Sequence, residues 1–415
     1  MVPMTDVTDV TADRRLEADA PTVTAPHGYG AALLALASGG FAIGTTEFVT
    51  MGVLPQVADG IDVSIPAAGH VISAYALGVV VGAPVLAFFG ARWPRRGLLI
   101  ALMAAYGAFN LLSAAATGYG LLFLARFLDG LPHGAYFGVA SLVAASLAPP
   151  GRRGRAVASV MLGLSVANVA GVPAATWLGQ HVGWRASYVA AALLAVLAAA
   201  LIAAFVPSCP GHDEATGGQE LRLFFRNGQA WLVLLAGAIG FGGLFAVYSY
   251  IAPTVTGVGG LPESAVPLFV LAFGLGMVVG TWLAGELASW SVFGSLITSG
   301  IGSGLVLVVF WFVAPYGWAL LPVVFTVTAL GSVLVVNLQL RLMDVAGEAQ
   351  TLGAAMNHAS LNVANALGAW LGGLAIAWGY GYRSPALVGF ALSVAGVAVL
   401  LLSWGLSRRA AAVTP

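Results

Sequence analysis

From Gly28 onward the chain reads as long apolar runs separated by short polar stretches. A run of about 20 apolar residues crosses a bilayer as a helix, whereas a barrel strand needs only about ten with in-and-out alternation. These runs are long and apolar all round, so helices are expected. Twelve spans are predicted, at 28–54, 69–90, 97–116, 119–147, 155–177, 186–206, 230–252, 265–288, 292–314, 317–340, 350–373 and 384–406. Span 4 carries Pro132, where a kink is expected. Residues 1–27 break the pattern, with Asp6, Asp9, Asp13, Glu17 and Asp19 beside Arg14 and Arg15. They lack an apolar core and a small-residue cleavage site, so they read as a disordered tail rather than a signal peptide.

Composition sharpens this picture. The chain of 415 residues is 60% hydrophobic and 8% charged, against about 25% charged in soluble domains. The fold class is therefore all-α integral membrane. All 16 basic residues are Arg. A phosphate-cradling Walker A loop needs a Lys, so a nucleotide-driven pump is excluded, as is a Lys Schiff base. The single Cys209 forms neither an internal disulfide nor a cysteine metal cluster. His27, His70, His133, His181, His212 and His358 show no metal-ligand spacing on one helix. HExxH and GxSxG are both absent, so no enzyme, metal or cofactor is expected. Nor is a nucleic-acid partner.

The arginines set the sidedness. The even-numbered loops and both tails hold Arg14, Arg15, Arg92, Arg95, Arg96, Arg152, Arg153, Arg155, Arg222, Arg226, Arg341, Arg408 and Arg409. Odd-numbered loops hold only Arg185 and Arg383, and Arg126 lies inside a span. Positive residues stay on the cytoplasmic side, so a multi-pass protein of the plasma (inner) membrane with both termini cytoplasmic is expected.

The chain also divides in two. Residues 207–229 form the longest polar interruption after the tail and read as a cytoplasmic linker. It joins one six-helix half, 28–206, to another, 230–406, with a C-terminal tail at 407–415. Three pairs of stretches recur at a nearly constant offset. Ala76–Gly82 matches Gly274–Gly280, Val166–Gly171 matches Val363–Gly368, and Trp184-Arg185 matches Tyr382-Arg383. Two parallel six-helix repeats place a substrate site between the halves near the midplane.

Candidate chemistry lies where charge meets the apolar core. Glu47 sits in "GFAIGTTEFV" about seven residues from the outer end of span 1, roughly 10 Å deep. Arg126 and Asp129 of span 4 lie at comparable depth. Arg126, Asp129 and His133 are spaced i, i+3 and i+7, on one helix face. Gly130 and Gly134 allow close helix approach there. A charge at mid-bilayer costs at least about 2.5–3.5 kcal/mol, so these groups pair or line a watery cavity. Arg126 and Asp129 are proton-coupling candidates too, and read equally well as a permanent ion pair. Burial favours the neutral form of a carboxylic acid, which suits Glu47 to carrying a proton. His133 is a candidate relay or substrate contact.

In the second half, span 11 carries Asn357, His358, Asn362 and Asn365, the last three on one face. Asn168 of span 5 is the repeat partner of Asn365. This polar stripe is either interhelical glue or cavity lining. Tyr136 of span 4 and Phe245 and Tyr248 of span 7 complete the candidate cavity residues.

Four stretches carry a family likeness: "GTTEFVTMGVLPQVA" (Gly44–Ala58), "SIPAAGHVISAYALGVVVGAP" (Ser64–Pro84), "RFLDGLPHGAYFGVA" (Arg126–Ala140) and "SVANVAGVPAATWLGQHVGWR" (Ser165–Arg185). In them the chain resembles major facilitator transporters of the twelve-helix drug:proton antiporter group. The nearest likeness is to arabinose-efflux permease-like proteins and actinobacterial chloramphenicol exporters. "NHASLNVANALGAWLGG" (Asn357–Gly373) fits as well. The resemblance implies proton-coupled export. It matches Arg126 and Gly130 to the family's helix 4 pattern, and Gly163, Gly171 and Pro173 to its helix 5 antiporter motif. Glu47 takes the place of its helix 1 acid. The chain departs from the family in the loop after span 2. Where the family has Gly, Asp-Arg and Gly-Arg-Lys/Arg, this chain has Ala87, Ala91-Arg92 and Pro94-Arg95-Arg96. The gating Asp is absent, while Arg92, Arg95 and Arg96 keep the charge.

The expectation is a monomeric secondary transporter in the lipid bilayer. It exchanges protons for a small neutral or weakly charged molecule, such as a phenicol drug or a sugar or metabolite. The rivals are a proton-independent facilitator and a sugar or metabolite exporter with no role in drug resistance.

Overall fold

A computed structural model describes residues 28–90, 93–149, 152–208, 224, 226–346 and 350–413. The predicted N-terminal tail, Arg92 and most of the predicted linker lie outside the described residues. Among the described residues every regular element is helical.

Helices α1 (Tyr29–Gly52), α2 (Ile65–Gly90), α3 (Arg95–Ala114) and α4 (Tyr119–Leu147) match the first four predicted spans, and α4 runs on through Pro132. Helix α5 is Arg153–Val166 continued through a π turn, Ala167–Gly171, into Val172–His181. Helix α6 is Trp184–Phe205. Helix α7 is less regular than its sequence suggests. Gly228–Gly240 and Gly242–Tyr248 are followed by the short Ile251–Pro253 and a π turn, Thr254–Val258. Asn227 caps it, its side chain accepting from the Gln229 and Ala230 amides.

The next two helices, α8 (266–290) and α9 (292–313), are joined by one extended residue, Ser291, at φ −167° and ψ 111°. Helices α10 (Leu320–Ala346), α11 (Gln350–Ala375) and α12 (Ser384–Val413) complete the bundle. Helix α12 continues through residues expected to be tail, because nothing in "SRRAAAV" stops a helix once it has left the bilayer.

Nine helical stretches among the described residues are long and apolar enough to cross a membrane, and one of these, Glu263–Ala346, contains α8, α9 and α10. Helix α4 falls outside the nine, which follows from the polar groups it carries.

The repeats perform matched packing tasks. Gly78 and Gly82 of α2 lie against the backbone carbonyls of Phe127 and Leu131 on α4, where any side chain would collide. Gly276 and Gly280 of α8 lie in the same way against Phe325 and Ala329 of α10. Arg185 at the start of α6 donates to the Ala116 carbonyl just beyond α3 at 2.9 Å and stacks on Trp184. Arg383 before α12 donates to the Trp311 carbonyl near the end of α9 at 2.8 Å and stacks on that ring. The molecule is thus two six-helix parallel repeats.

The halves meet along α2 with α11 and α5 with α8. Ser73 donates to the Ala366 carbonyl at 3.0 Å. At the arginine-poor end, Glu263 before α8 accepts from Gln56 Nε2 through its carboxylate at 2.8 Å and from Gln180 Nε2 through its backbone carbonyl at 3.0 Å. A continuous buried cluster carries Phe48, Met51, Ile72 and Val172 of the first half into Phe245, Tyr248, Phe269 and Phe273 of the second.

Candidate functional site

The i, i+3, i+7 spacing on α4 does place Arg126, Asp129 and His133 on one inward face, and all three are fully buried. Arg126 Nη1 donates to Asp129 Oδ2 at 2.5 Å. Asn110 of α3 donates to Asp129 Oδ1 at 2.7 Å. The Arg126 guanidinium also lies 4.2 Å from the centre of the Tyr75 ring and 5.3 Å from that of Tyr188. Both distances lie within cation–π range. Asp129 is therefore held by two donors, and Arg126 by one carboxylate and two aromatic faces.

Glu47 is placed differently. It is buried on α1, and its carboxylate has no hydrogen-bond partner among the described residues. No ion-pair contact joins it to Arg126 among the described residues. The antiporter motif sets the packing beside it. Gly163 sits against the Ala37 carbonyl of α1, and Gly171 against Thr45 and Phe41. Pro173 follows the π turn, and such turns are frequent at functional sites. Helix α5 thus lies close along α1 on both sides of the Glu47 turn.

Phe48 carries the contact to the second half. Its ring is 6.4 Å from Phe245, 5.9 Å from Tyr248 and 5.8 Å from Phe273. Tyr248 stacks on Phe273, and its hydroxyl is buried without a partner among the described residues. A small apolar pocket within the second half is lined by Leu244, Tyr248, Phe273, Phe310 and Val327 among others. Of the predicted cavity residues only Tyr248 lines it.

His133 and His358 come together across the two halves, ring centroids 5.8 Å apart, with Phe137 5.4 Å from the first and 5.5 Å from the second. His133 Nδ1 lies 2.9 Å from the Tyr75 hydroxyl, and that hydroxyl 3.0 Å from Tyr106. Tyr106 donates to the Ile43 carbonyl at 3.3 Å.

The asparagines are part-satisfied. Asn168 donates to Leu164 and Asn362 to His358, each to a backbone carbonyl one turn back, leaving each Oδ1 buried and unpaired among the described residues. Asn365 is buried with neither side-chain polar atom paired among the described residues. Asn357 is buried on α11. Tyr136 donates to the Leu36 carbonyl at 2.7 Å and ties α4 to α1 within the first half. At the arginine-rich end Arg96 donates to the Ala203 carbonyl, joining α3 to α6, and Arg95 opens α3.

Several residues of the site were not singled out in the sequence. Asn110 had a signal, a lone amide in an apolar span. Tyr75, Tyr106, Tyr188 and Phe48 had none, since aromatic residues are common in such helices. Gln56 lies in the stretch Gly44–Ala58 without being singled out there, Glu263 lies in none of the quoted stretches, and only the fold brings the two together.

A family model described as Major Facilitator Superfamily matches residues 36–357. "Inner membrane transport protein YdhP" of Escherichia coli (strain K12) is 42% identical over 380 residues, which cover 89% of this chain and 94% of that one. "Chloramphenicol resistance protein" of Streptomyces lividans is 33% identical over 334 residues, covering 79% of this chain and 84% of that one. Among solved structures, that of a D-xylose-proton symporter superposes with a TM-score of 0.71 at 18% identity, covering 90% of this chain and 97% of that one.

Proposed function

The chain belongs to the major facilitator superfamily of membrane transporters, and from that premise we propose that it exports a small neutral or weakly charged molecule in exchange for protons, with Glu47 as the proton carrier. The observation that carries this reading is the contrast between two buried carboxylates. Asp129 is held by Arg126 and Asn110, and that arrangement serves to fix α4 against α3. Glu47 is buried with no hydrogen-bond partner among the described residues, so its protonation breaks no bond.

In this reading the halves 28–206 and 230–406 rock about the seam, joined by the linker 207–229. The arginine-rich end faces the cytoplasm, as do both termini, and the protein works as a monomer. A proton taken from outside neutralises Glu47 and favours return to the inward-open state. Cargo entering from the cytoplasm favours its release. Coupling follows only because proton and cargo prefer different states. The buried ion pair Arg126–Asp129 is already neutralised within itself, which disfavours strongly anionic or polycationic cargo. Phenicol-type drugs fit the relative whose name records chloramphenicol resistance, and small sugars or other metabolites fit the asparagine stripe.

The test is proton movement in proteoliposomes. Wild type is to show cargo-dependent proton flux with a panel of phenicols and sugars, and Glu47→Gln is to lose it while still binding cargo. Flux that survives in Glu47→Gln overturns the assignment of Glu47, and cargo movement with no proton flux in wild type makes the protein a facilitator.

A further inference from the structure

The hydrogen bonds around His133 determine which of its ring nitrogens carries the proton. Tyr106 has one hydroxyl hydrogen and spends it on the Ile43 carbonyl. With that 3.3 Å bond made, the donor in the 3.0 Å contact between the two tyrosines is Tyr75. The single hydrogen of Tyr75 is thereby used, so its oxygen accepts in the 2.9 Å contact with His133. Nδ1 of His133 therefore bears the hydrogen. Nε2 is left as a bare acceptor, and it is fully buried with no partner among the described residues.

A buried acceptor without a donor carries the desolvation penalty of its lone pair uncompensated. This one sits at the seam between the halves, beside Phe137 and across from His358 on α11. His358 is itself without a hydrogen bond to its ring among the described residues. A group at such a place gains its partner when the halves part and something enters between them.

We propose that His133 Nε2 is a specificity-determining contact for the exported molecule. It accepts a hydrogen bond from a hydroxyl or N–H of a neutral cargo whose apolar or planar part lies against Phe137 and His358. This rests on the export reading and goes further, because it states which hydrogen-bonding group the cargo must bring. Tyr75, Tyr106 and the Ile43 carbonyl are positioning groups, which act through the imidazole by fixing its tautomer. A ligand that presents only an acceptor at this point faces lone pair against lone pair and is rejected.

Two measurements test the proposal. In the first, the protein carries 15N-labelled histidine in lipid nanodiscs, and the His133→Asn difference spectrum identifies the two nitrogens of residue 133. Nδ1 is to be protonated and Nε2 bare in wild type, and Tyr75→Phe is to mix the two tautomers. A protonated Nε2 in wild type overturns the proposal. In the second, binding of chloramphenicol and of an aldopentose is compared with binding of their fully O-methylated derivatives. Wild type is to prefer at least one hydroxyl form over its ether by tenfold or more. His133→Leu is to erase that preference, and His133→Asn, which keeps an acceptor, is to restore part of it. Equal affinity for each hydroxyl form and its ether, or no binding of either hydroxyl form, overturns the proposal. Neither result bears on Glu47, whose role stands or falls with proton flux.

Discussion

Phe48, the residue that follows Glu47, lies parallel to Phe245 of α7, with ring centroids 6.4 Å apart and planes within 5°. The two belong to opposite halves, so the backbone that bears the unpaired carboxylate is packed directly on the other repeat. Movement of the seam and the surroundings of Glu47 cannot change independently. A wall of interlocked side chains has discrete arrangements rather than a continuum, and distinct states are what the proposed proton exchange requires.

Truncation at Phe48 is expected to loosen that link. Phe48→Ala removes a buried ring that meets Phe245, Tyr248 and Phe273, and large-to-small changes of this kind cost about 3–5 kcal/mol. Phe48→Leu keeps most of the volume and loses the ring-on-ring geometry. In proteoliposomes Phe48→Leu should move cargo with fewer protons per molecule than wild type, while its thermal unfolding midpoint stays close to wild type. A full proton ratio in Phe48→Leu would show that the stacking carries no coupling.

The Arg126–Asp129 pair should behave as structure. Both groups are fully buried, and removing one partner leaves an uncompensated charge at a cost of about 3–5 kcal/mol. Arg126→Leu and Asp129→Leu are each expected to lower stability strongly in detergent unfolding. The double variant should lose clearly less than the two single losses together, because neither charge is then stranded. Additive losses would mean that the two residues do not stabilise one another.

Gly163 should tolerate no side chain. A Cβ there would meet the Ala37 carbonyl and the Phe41 amide, both of them backbone. Gly163→Ala is expected to push α5 from α1 and cost about 1–3 kcal/mol, as overpacking does. Gly163→Val should prevent accumulation of folded protein in the membrane. Size-exclusion profiles and unfolding midpoints report both, and a wild-type midpoint in Gly163→Ala would contradict the close α1–α5 contact.

The twelve spans were legible because a bilayer imposes one length and one composition on every crossing, and the halves because Gly78 and Gly82 recur as Gly276 and Gly280 with the same packing task. The α4 face was legible from spacing alone, since Arg126, Asp129 and His133 cannot avoid sharing it. The breaks in α7 and the one-residue link at Ser291 were not, because an apolar run has the same pattern whether or not it bends. Nor was the chain from Ile43 through Tyr106 and Tyr75 to His133. It draws on α1, α2, α3 and α4 together, and a tyrosine gives no sign in sequence of where its hydroxyl will point. His133 and His358 were each visible as polar residues in greasy helices, but only the seam brings them within 5.8 Å.

Glu263 makes the last prediction. It is the meeting point of two glutamines from the other half, Gln56 on its carboxylate and Gln180 on its backbone carbonyl. These bonds close the arginine-poor end, and they must break if that end is to open. Each is one exposed hydrogen bond, worth about 0.5–1.5 kcal/mol net, somewhat more to a charged acceptor. They are therefore strong enough to bias an equilibrium and too weak to lock it. Glu263→Ala removes the side-chain bond and keeps the backbone one, so it should raise the population open at that end by several fold. A cysteine placed at Ser73 in a background lacking Cys209 should react faster with an impermeant thiol reagent when Glu263→Ala is present. The pair Gln56→Cys with Glu263→Cys, oxidised, should stop transport, and reductant should restore it. If the oxidised pair transports at the wild-type rate, this contact persists through the whole cycle and the end it closes is not a gate.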